Sequence, residues 1–259
     1  MQIVRDQMNR KIQIPIHSKR IISIVPSQTE LLHDLGLGER VVGITKFCIH
    51  PTSWYQSKTR IGGTKQLNFE KIDSLKPDLI IGNKEENDET QVKLLMDKYP
   101  VWMSDISTLN QAYSMISSIG EITNTIEKSD AIFSTIKQQF SNLIPSFQPH
   151  KTLYLIWKTP YMAGGMNTFI DCVLATCGLV NIVERERYPE LTNKEIQRIN
   201  PELILLSSEP YPFKEKHIEE LQQLVPKAKI KLVDGEMFSW YGSRLLEAPQ
   251  YFHQLLTEI

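Results

Sequence analysis

The stretch Ile72-Asp73-Ser74-Leu75-Lys76-Pro77-Asp78-Leu79-Ile80 decides how this chain is read, because its pattern occurs twice. The counterpart is Ile196-Gln197-Arg198-Ile199-Asn200-Pro201-Glu202-Leu203-Ile204. In each copy two apolar residues spaced for one face of a helix precede a proline. Proline disfavours the α region for the residue before it, so the helix stops there. The apolar run that follows the acidic residue then reads as a buried strand. One copy in each half predicts two lobes built on the same βα rhythm.

Working outward, the first half reads as alternating strands and helices. Ile3 to Ile16 predicts a small hairpin around Asp6–Arg10. Arg20–Val25 is a buried-type strand ended by Pro26, followed by a helix that Gly36 and Gly38 terminate. Val41–Ile44, Asp78–Gly82 and Val101–Met103 are the next strands, with helices near Phe69–Leu75 and from Asn87 to Asp97. After Pro149 the rhythm resumes. Strands are predicted at Leu153–Trp157, Leu203–Leu206 and Ile230–Val233, and helices at Phe169–Cys177, Lys194–Ile199, Lys214–Leu224 and from Arg244 to the end. Such alternation predicts parallel sheets covered by helices.

Between the halves, Thr108 to Leu143 contains no proline and a single glycine, with a break expected at Gly120 to Asn124. Ile126, Phe133, Ile136, Phe140 and Leu143 then fall at helical spacing, and Pro145 stops the run. A helix of ~20 residues is ~30 Å long, enough to reach from one lobe to another. The predicted organisation is therefore an N-terminal lobe over 1–122, a linking backbone helix over 123–147 and a C-terminal lobe over 148–259.

Composition narrows the function. A net charge of −1 gives no reason to expect nucleic acid, which favours a strongly basic face. No stretch approaches the ~18 apolar residues of a membrane span. The start, Met1-Gln2-Ile3-Val4-Arg5-Asp6, shows no basic segment leading into an apolar one. At face value that reads as a cytoplasmic chain, and a chain trimmed of its leader would read the same. Cys48, Cys172 and Cys177 show no zinc-type spacing and read as free thiols. There is no GxGxxG after a strand, no P-loop, no GxSxG and no HExxH. Catalysis therefore has little support: Ser27, His50 and Glu30 could be cast as a triad, but nothing in the sequence sets their geometry.

The strand and helix Arg20-Ile21-Ile22-Ser23-Ile24-Val25-Pro26-Ser27-Gln28-Thr29-Glu30-Leu31-Leu32, with Leu35-Gly36-Leu37-Gly38 and Val41-Val42-Gly43, resembles the opening of the class III substrate-binding proteins of ABC importers. These are also called helical-backbone metal receptors and include vitamin B12-binding and siderophore-binding proteins. Phe69–Ile72, Leu75–Ile81 and Gly242-Ser243-Arg244 extend the resemblance in colinear order from Arg20 to the C-terminus. It implies two Rossmann-like lobes joined by a helix, a ligand cleft between them, and no catalysis. It implies a metal chelate as ligand, either a corrinoid such as cobalamin or an iron–siderophore or haem, with no cofactor required. The implied partner is an ABC permease dimer, the protein itself being a monomer, and the implied location is the periplasm or cell surface.

Ligand-facing loops in such lobes lie at the carboxyl ends of the strands. By resemblance, Phe47 in the loop Thr45–Pro51 occupies the position of an aromatic offered to a corrin ring, and Tyr161 that of a ligand-facing aromatic. Gly164 and Gly165 beside Tyr161 suggest close backbone approach to the ligand. Trp240 and Tyr241 lie with Glu236 in a glycine-punctuated, ring-rich turn, and Tyr188 is a further candidate. Arg185 and Arg187 would attract an anionic chelate. His50 and Cys48 are candidate metal ligands. The vitamin B12 receptor carries a tryptophan near Thr64, which this chain lacks. Family receptors dock through one exposed glutamate per lobe. Glu70 matches the first, whereas Lys194 stands at the second with Glu195 beside it. A cytoplasmic protein that stores, senses or carries a chelate without an importer is the alternative, and an enzyme on paired lobes the more distant one.

Overall fold

The computed structural model describes residues 1–146 and 148–259. It divides the chain into two compact units, residues 1–106 with 110–137 and 241–246, and residues 138–240 with 107–109 and 247–259. This is the two-lobed α/β fold expected. A short segment near the C-terminus, 241–246, packs with the first unit.

The first unit opens with a hairpin of β1 (Gln2–Arg5) and β2 (Lys11–Ile14). Asp6 holds its turn, accepting from the backbone N–H of Met8 at 3.1 Å and Arg10 at 2.9 Å and from the Arg10 Nε at 2.9 Å. There follow β3 (Ile21–Ser23), α1 (Pro26–Asp34), β4 (Val41–Ile44), α2 (Thr52–Ser57), β5 (Thr59–Arg60), α3 (Phe69–Leu75), β6 (Leu79–Asn83), α4 (Glu89–Met96) and β7 (Val101–Ser104). Five strands make a wholly parallel sheet in the order β5-β4-β3-β6-β7. Ile22, Ile24, Ile72, Ile80 and Leu95 form part of its core.

Two helices follow, α5 (Leu109–Thr123) and α6 (Ile126–Ser141). Asn124 between them takes a left-handed φ of 57°, so the break falls where the sequence placed it. Gly120 permits their close crossing, since a Cβ there would overlap the Ser129 side chain. The helix α6 is 16 residues, shorter than the span 123–147 read from periodicity. The apolar spacing at Leu143 continues past the last helical turn, because periodicity marks a buried face and not the residue at which the helix ends. The chain leaves the first unit within α6.

The second unit contains β8 (Lys151–Trp157), β9 (Tyr161–Ala163), α7 (Phe169–Thr176), β10 (Val180–Asn181), β11 (Glu190–Leu191), α8 (Asn193–Ile199), β12 (Leu203–Ser207), α9 (Glu215–Leu224), β13 (Lys229–Val233), α10 (Gly235–Ser239) and α11 (Ala248–Thr257). A 3₁₀ turn, Ser243–Leu246, stands where the sequence suggested the start of the last helix. The sheet runs β11-β9-β8-β12-β13, with β10 added alongside β8. It is mixed and not purely parallel. β9 returns from β8 through a three-residue turn and so pairs antiparallel, as a turn that short must, and β11 pairs antiparallel to β9.

The repeated motif has one geometry in both units. Asn68 caps α3 and Thr192 caps α8, and Lys76 and Asn200 end them with a left-handed φ of 46°. The acidic residue after each proline then ties down the start of a neighbouring strand. Asp78 accepts from the N–H of Lys19 at 2.7 Å and Arg20 at 2.9 Å, while its own N–H donates to the Arg20 carbonyl. Glu202 accepts from the N–H of Lys151 at 2.9 Å, and its N–H donates to the Lys151 carbonyl.

Candidate functional site

In each unit the carboxyl ends of the strands carry the loops singled out in the sequence. The loop after β4 exposes Phe47, which is 50% exposed although its neighbours Thr45 and Cys48 are buried. The ring rests against Gly63, and the Lys46 ammonium stands 5.1 Å from its centroid. A large apolar ring left in solvent at a loop tip, with a cation beside it, is suited to a flat partner.

Cys48, one residue on, is 0% exposed and receives the Thr29 hydroxyl at 3.1 Å, with Thr45 Oγ1 also at 3.1 Å. Burial pushes its thiol up to about 11, so it stays protonated at neutral pH. A metal bound there would have to displace that proton, because ligation needs the thiolate. His50 is half-buried. Among the described residues no group of three His, Cys, Asp or Glu side chains could hold a metal ion.

In the second unit, Tyr161 begins β9 and is half-buried against that unit's core. It lines a groove of about 610 Å³ together with Lys158, Thr192, Glu220 and Leu224, where Lys158 and Glu220 form an ion pair. Burial raises the Tyr161 phenol, partly offset by the nearby Lys158 charge. Tyr188 is half-buried in the adjoining loop. The glycines after Tyr161 serve that loop and not an open approach to ligand. A Cβ on Gly165 would overlap the Arg185 carbonyl, and one on Gly164 would press on Ile170. Both arginines are exposed but engaged locally. Arg185 donates to the Glu190 carbonyl at 2.8 Å and pairs with Glu195 at 3.3 Å, and Arg187 donates to the Asn167 carbonyl at 3.1 Å.

The ring-bearing turn after β13 is more enclosed than Phe47. Trp240 and Tyr241 are each 6% exposed. The Trp240 indole donates to Glu209 Oε1 at 2.8 Å, and Ser239 Oγ donates to the same oxygen at 3.0 Å. The Tyr241 hydroxyl donates to Glu86 Oε1 at 2.7 Å. Glu236 is half-buried in the first turn of α10, which Asp234 caps by accepting from the Glu236 N–H at 3.0 Å. Glu209 and Glu86 were not anticipated. Each follows a strand in a polar loop, and no local pattern announces a partner 31 or 155 residues away.

A sequence profile of the periplasmic binding protein family matches residues 21–227. The chain belongs to that family. Its class III members are the substrate-binding proteins of ABC importers, and they are binding proteins, not enzymes. An ABC transporter substrate-binding lipoprotein of Bacillus subtilis is 25% identical over 94% of this chain and 82% of its own length. The vitamin B12-binding protein of Yersinia pestis is 24% identical over 93% of this chain and 88% of its own. Among solved structures, the vitamin B12-binding protein of Vibrio cholerae superposes with a TM-score of 0.75 at 21% identity, covering 94% of this chain and 98% of that one. A molybdate-binding protein of Haemophilus influenzae superposes at 0.79 and 14% identity, over 100% of this chain and 92% of that one. Among the described residues no helix is long and apolar enough to cross a membrane.

The two glutamates expected to meet a permease differ in state. Glu70 is exposed in the first turn of α3. Glu195 is turned back into its own helix end, accepting from the Thr192 N–H at 2.7 Å and the Thr192 hydroxyl at 2.8 Å. Those two bonds, with Arg185 nearby, hold its carboxyl below the usual range. Lys194 beside it is exposed.

Proposed function

We propose that this protein is the receptor of an ABC importer for a flat metal chelate, a corrinoid or a haem-like or ferric chelate, acting at the periplasmic or cell surface. The observation that carries the reading is Phe47, an exposed ring braced by Gly63 at the carboxyl end of β4. Stacking on a macrocycle costs such a ring little entropy, since it has only two rotatable side-chain bonds. Tyr161 and Tyr188 supply further aromatic surface in the second unit, with Trp240 and Tyr241 as better-packed support. The names of relatives that bind vitamin B12 and haem agree with this ligand class. Because Arg185 and Arg187 are engaged in their own loop, recognition rests on ring faces more than on capture of an anion. A monomer meeting a permease dimer through Glu70 completes the proposal.

Titration of the purified protein with cyanocobalamin, hemin and a ferric hydroxamate, followed by absorbance and calorimetry, tests this directly. Binding of one of them, weakened about tenfold or more by Phe47→Ala, is the expected result, since an aromatic contact and its buried area contribute upwards of ~1.4 kcal/mol. Binding of molybdate with indifference to all three chelates would replace the chelate with an oxyanion. A second reading, a carrier that meets no importer, draws on one observation: Lys194 stands where the second docking carboxylate is expected and Glu195 is occupied by Thr192.

A further inference from the structure

Two buried rings, Trp240 and Tyr241, follow one another in the turn after α10. Trp240 closes the second unit's segment 138–240, and Tyr241 opens the segment 241–246 that packs with the first. Within the second unit, Glu209 Oε1 accepts from the Trp240 indole at 2.8 Å and from Ser239 Oγ at 3.0 Å. Within the first, Glu86 Oε1 accepts from the Tyr241 hydroxyl at 2.7 Å. We propose that Glu209 is a positioning residue, which clamps the Trp240 indole within the second unit and so fixes the turn 234–240 that bears Glu236.

Three features of the local chemistry support this role of Glu209. Ionised carboxylates form stronger hydrogen bonds than neutral acceptors, and here one oxygen takes the Trp240 indole N–H, with the Ser239 hydroxyl also in reach although its one proton has a nearer acceptor in the Gly235 carbonyl at 2.8 Å. The approach is built in, because Gly235 leaves room that a Cβ, 2.7 Å from Glu209 Cγ, would fill. The site also holds a carboxylate in unfavourable surroundings. Burial raises Glu209, and the charged groups facing it, Glu236 and Asp234, are both acidic and raise it further. A carboxylate kept in such a place with an indole N–H aimed at it is organised for that donor, since an isolated buried charge is costly. Within the first unit, Glu86 lies in the loop after β6, whose Asn83 side chain accepts from the N–H of Glu86 at 3.1 Å.

The proposal rests on the chelate reading only for what the turn is placed against. The clamp can be tested without ligand. The protein has four tryptophans, so its indole N–H signals form four resolvable NMR cross-peaks, and loss of one in Trp240→Phe assigns Trp240. Its signal should be downfield and protected from exchange, and should move as Glu209 takes up a proton at a pH above the ordinary carboxylate range. In Glu209→Gln, where the amide oxygen still accepts, the signal should stay protected but no longer respond to pH. In Glu209→Ala it should lose protection while the signals of Trp157 in the second unit and Trp102 in the first stay in place as evidence of an intact fold. Tyr241→Phe should leave the Trp240 signal unmoved. For whichever of cyanocobalamin and hemin the wild type binds, Glu209→Ala should weaken binding about tenfold and Glu209→Gln by no more than about threefold. An unchanged Trp240 signal in Glu209→Ala, or equal loss in the Ala and Gln variants, overturns the clamp. A wild type that binds neither chelate, with the indole behaviour as described, overturns the chelate reading and leaves the clamp standing.

Discussion

At Cys48 desolvation outweighs the hydroxyls of Thr29 and Thr45, which favour a thiolate. The same holds for Cys177, where burial alone pushes the thiol up to about 12. Both are sealed in the core, whereas Cys172 is partly exposed. A thiol-reactive disulfide reagent at pH 8 should therefore titrate one thiol quickly in the native protein, and all three only in denaturant. Fast reaction of Cys48 would mean that its pocket opens. Glu209 presents the reverse problem, an acid raised by burial. The folded state then binds its proton more tightly than the unfolded chain does, so the stabilising contribution is complete below the unfolded carboxylate range and is lost as pH rises through the folded value. In its ionised form Glu209 costs stability that Gln would not. Glu209→Gln should thus melt at a higher temperature than wild type at pH 7, and the gap should close as the pH is lowered toward 4. A gap that widens on acidification would show that the hydrogen bonds outweigh desolvation.

Helices α5 and α6 depend on one missing side chain. A Cβ at Gly120 would overlap the Ser129 hydroxyl and press on its Cβ. Alanine should gain about 1 kcal/mol in helix propensity and lose more to overlap, which typically costs about 1–3 kcal/mol. Gly120→Ala is expected to lower the urea midpoint, and adding Ser129→Gly should recover part of the loss; additive effects in the double variant would show that the two residues are not in contact. The glycine itself was visible in the sequence as the only one in its stretch, although its partner was not. The same division runs through the other elements. The helix–proline–strand motif was legible because proline, an apolar run and the cap residues are local signals, and both copies fold alike down to the acidic residue that ties a neighbouring strand. The hairpin reversal at Thr159 was not, since three residues without a characteristic turn pair give no local signal of antiparallel return. The end of α6 was overestimated because apolar spacing persists to Leu143 after the helix has stopped. At the candidate site the loops were legible from strand ends. The enclosure of Trp240 and Tyr241 was not, because it depends on Glu209 and Glu86, residues distant in sequence.

For the molecule as a whole, a near-neutral charge means that partner choice is set by individual exposed groups and not by a general field. Glu70 and Glu195 look equivalent in the repeated motif, each in the first turn of a seven-residue helix. Their surroundings separate them. Asn68 caps α3 alone, so Glu70 is exposed to solvent, whereas Glu195 completes a capping box with Thr192 and has Arg185 beside it. Removing Glu70 should therefore leave the fold and the binding of cyanocobalamin or hemin unchanged while reducing uptake by proteoliposomes that carry the cognate permease. Removing Glu195 should act in the opposite sense. Glu195→Ala takes away the acceptor for the Thr192 N–H, which should loosen α8 and speed amide exchange through residues 192–196, with little direct effect on uptake. If the second unit also engages the permease, the exposed group available at that position is Lys194, and Lys194→Glu should change uptake whereas Glu195→Ala does not. Equal losses of uptake from Glu70→Ala and Glu195→Ala, without faster exchange in α8, would show that Glu195 leaves its cap to dock and that the two lobes meet the permease in the same way after all.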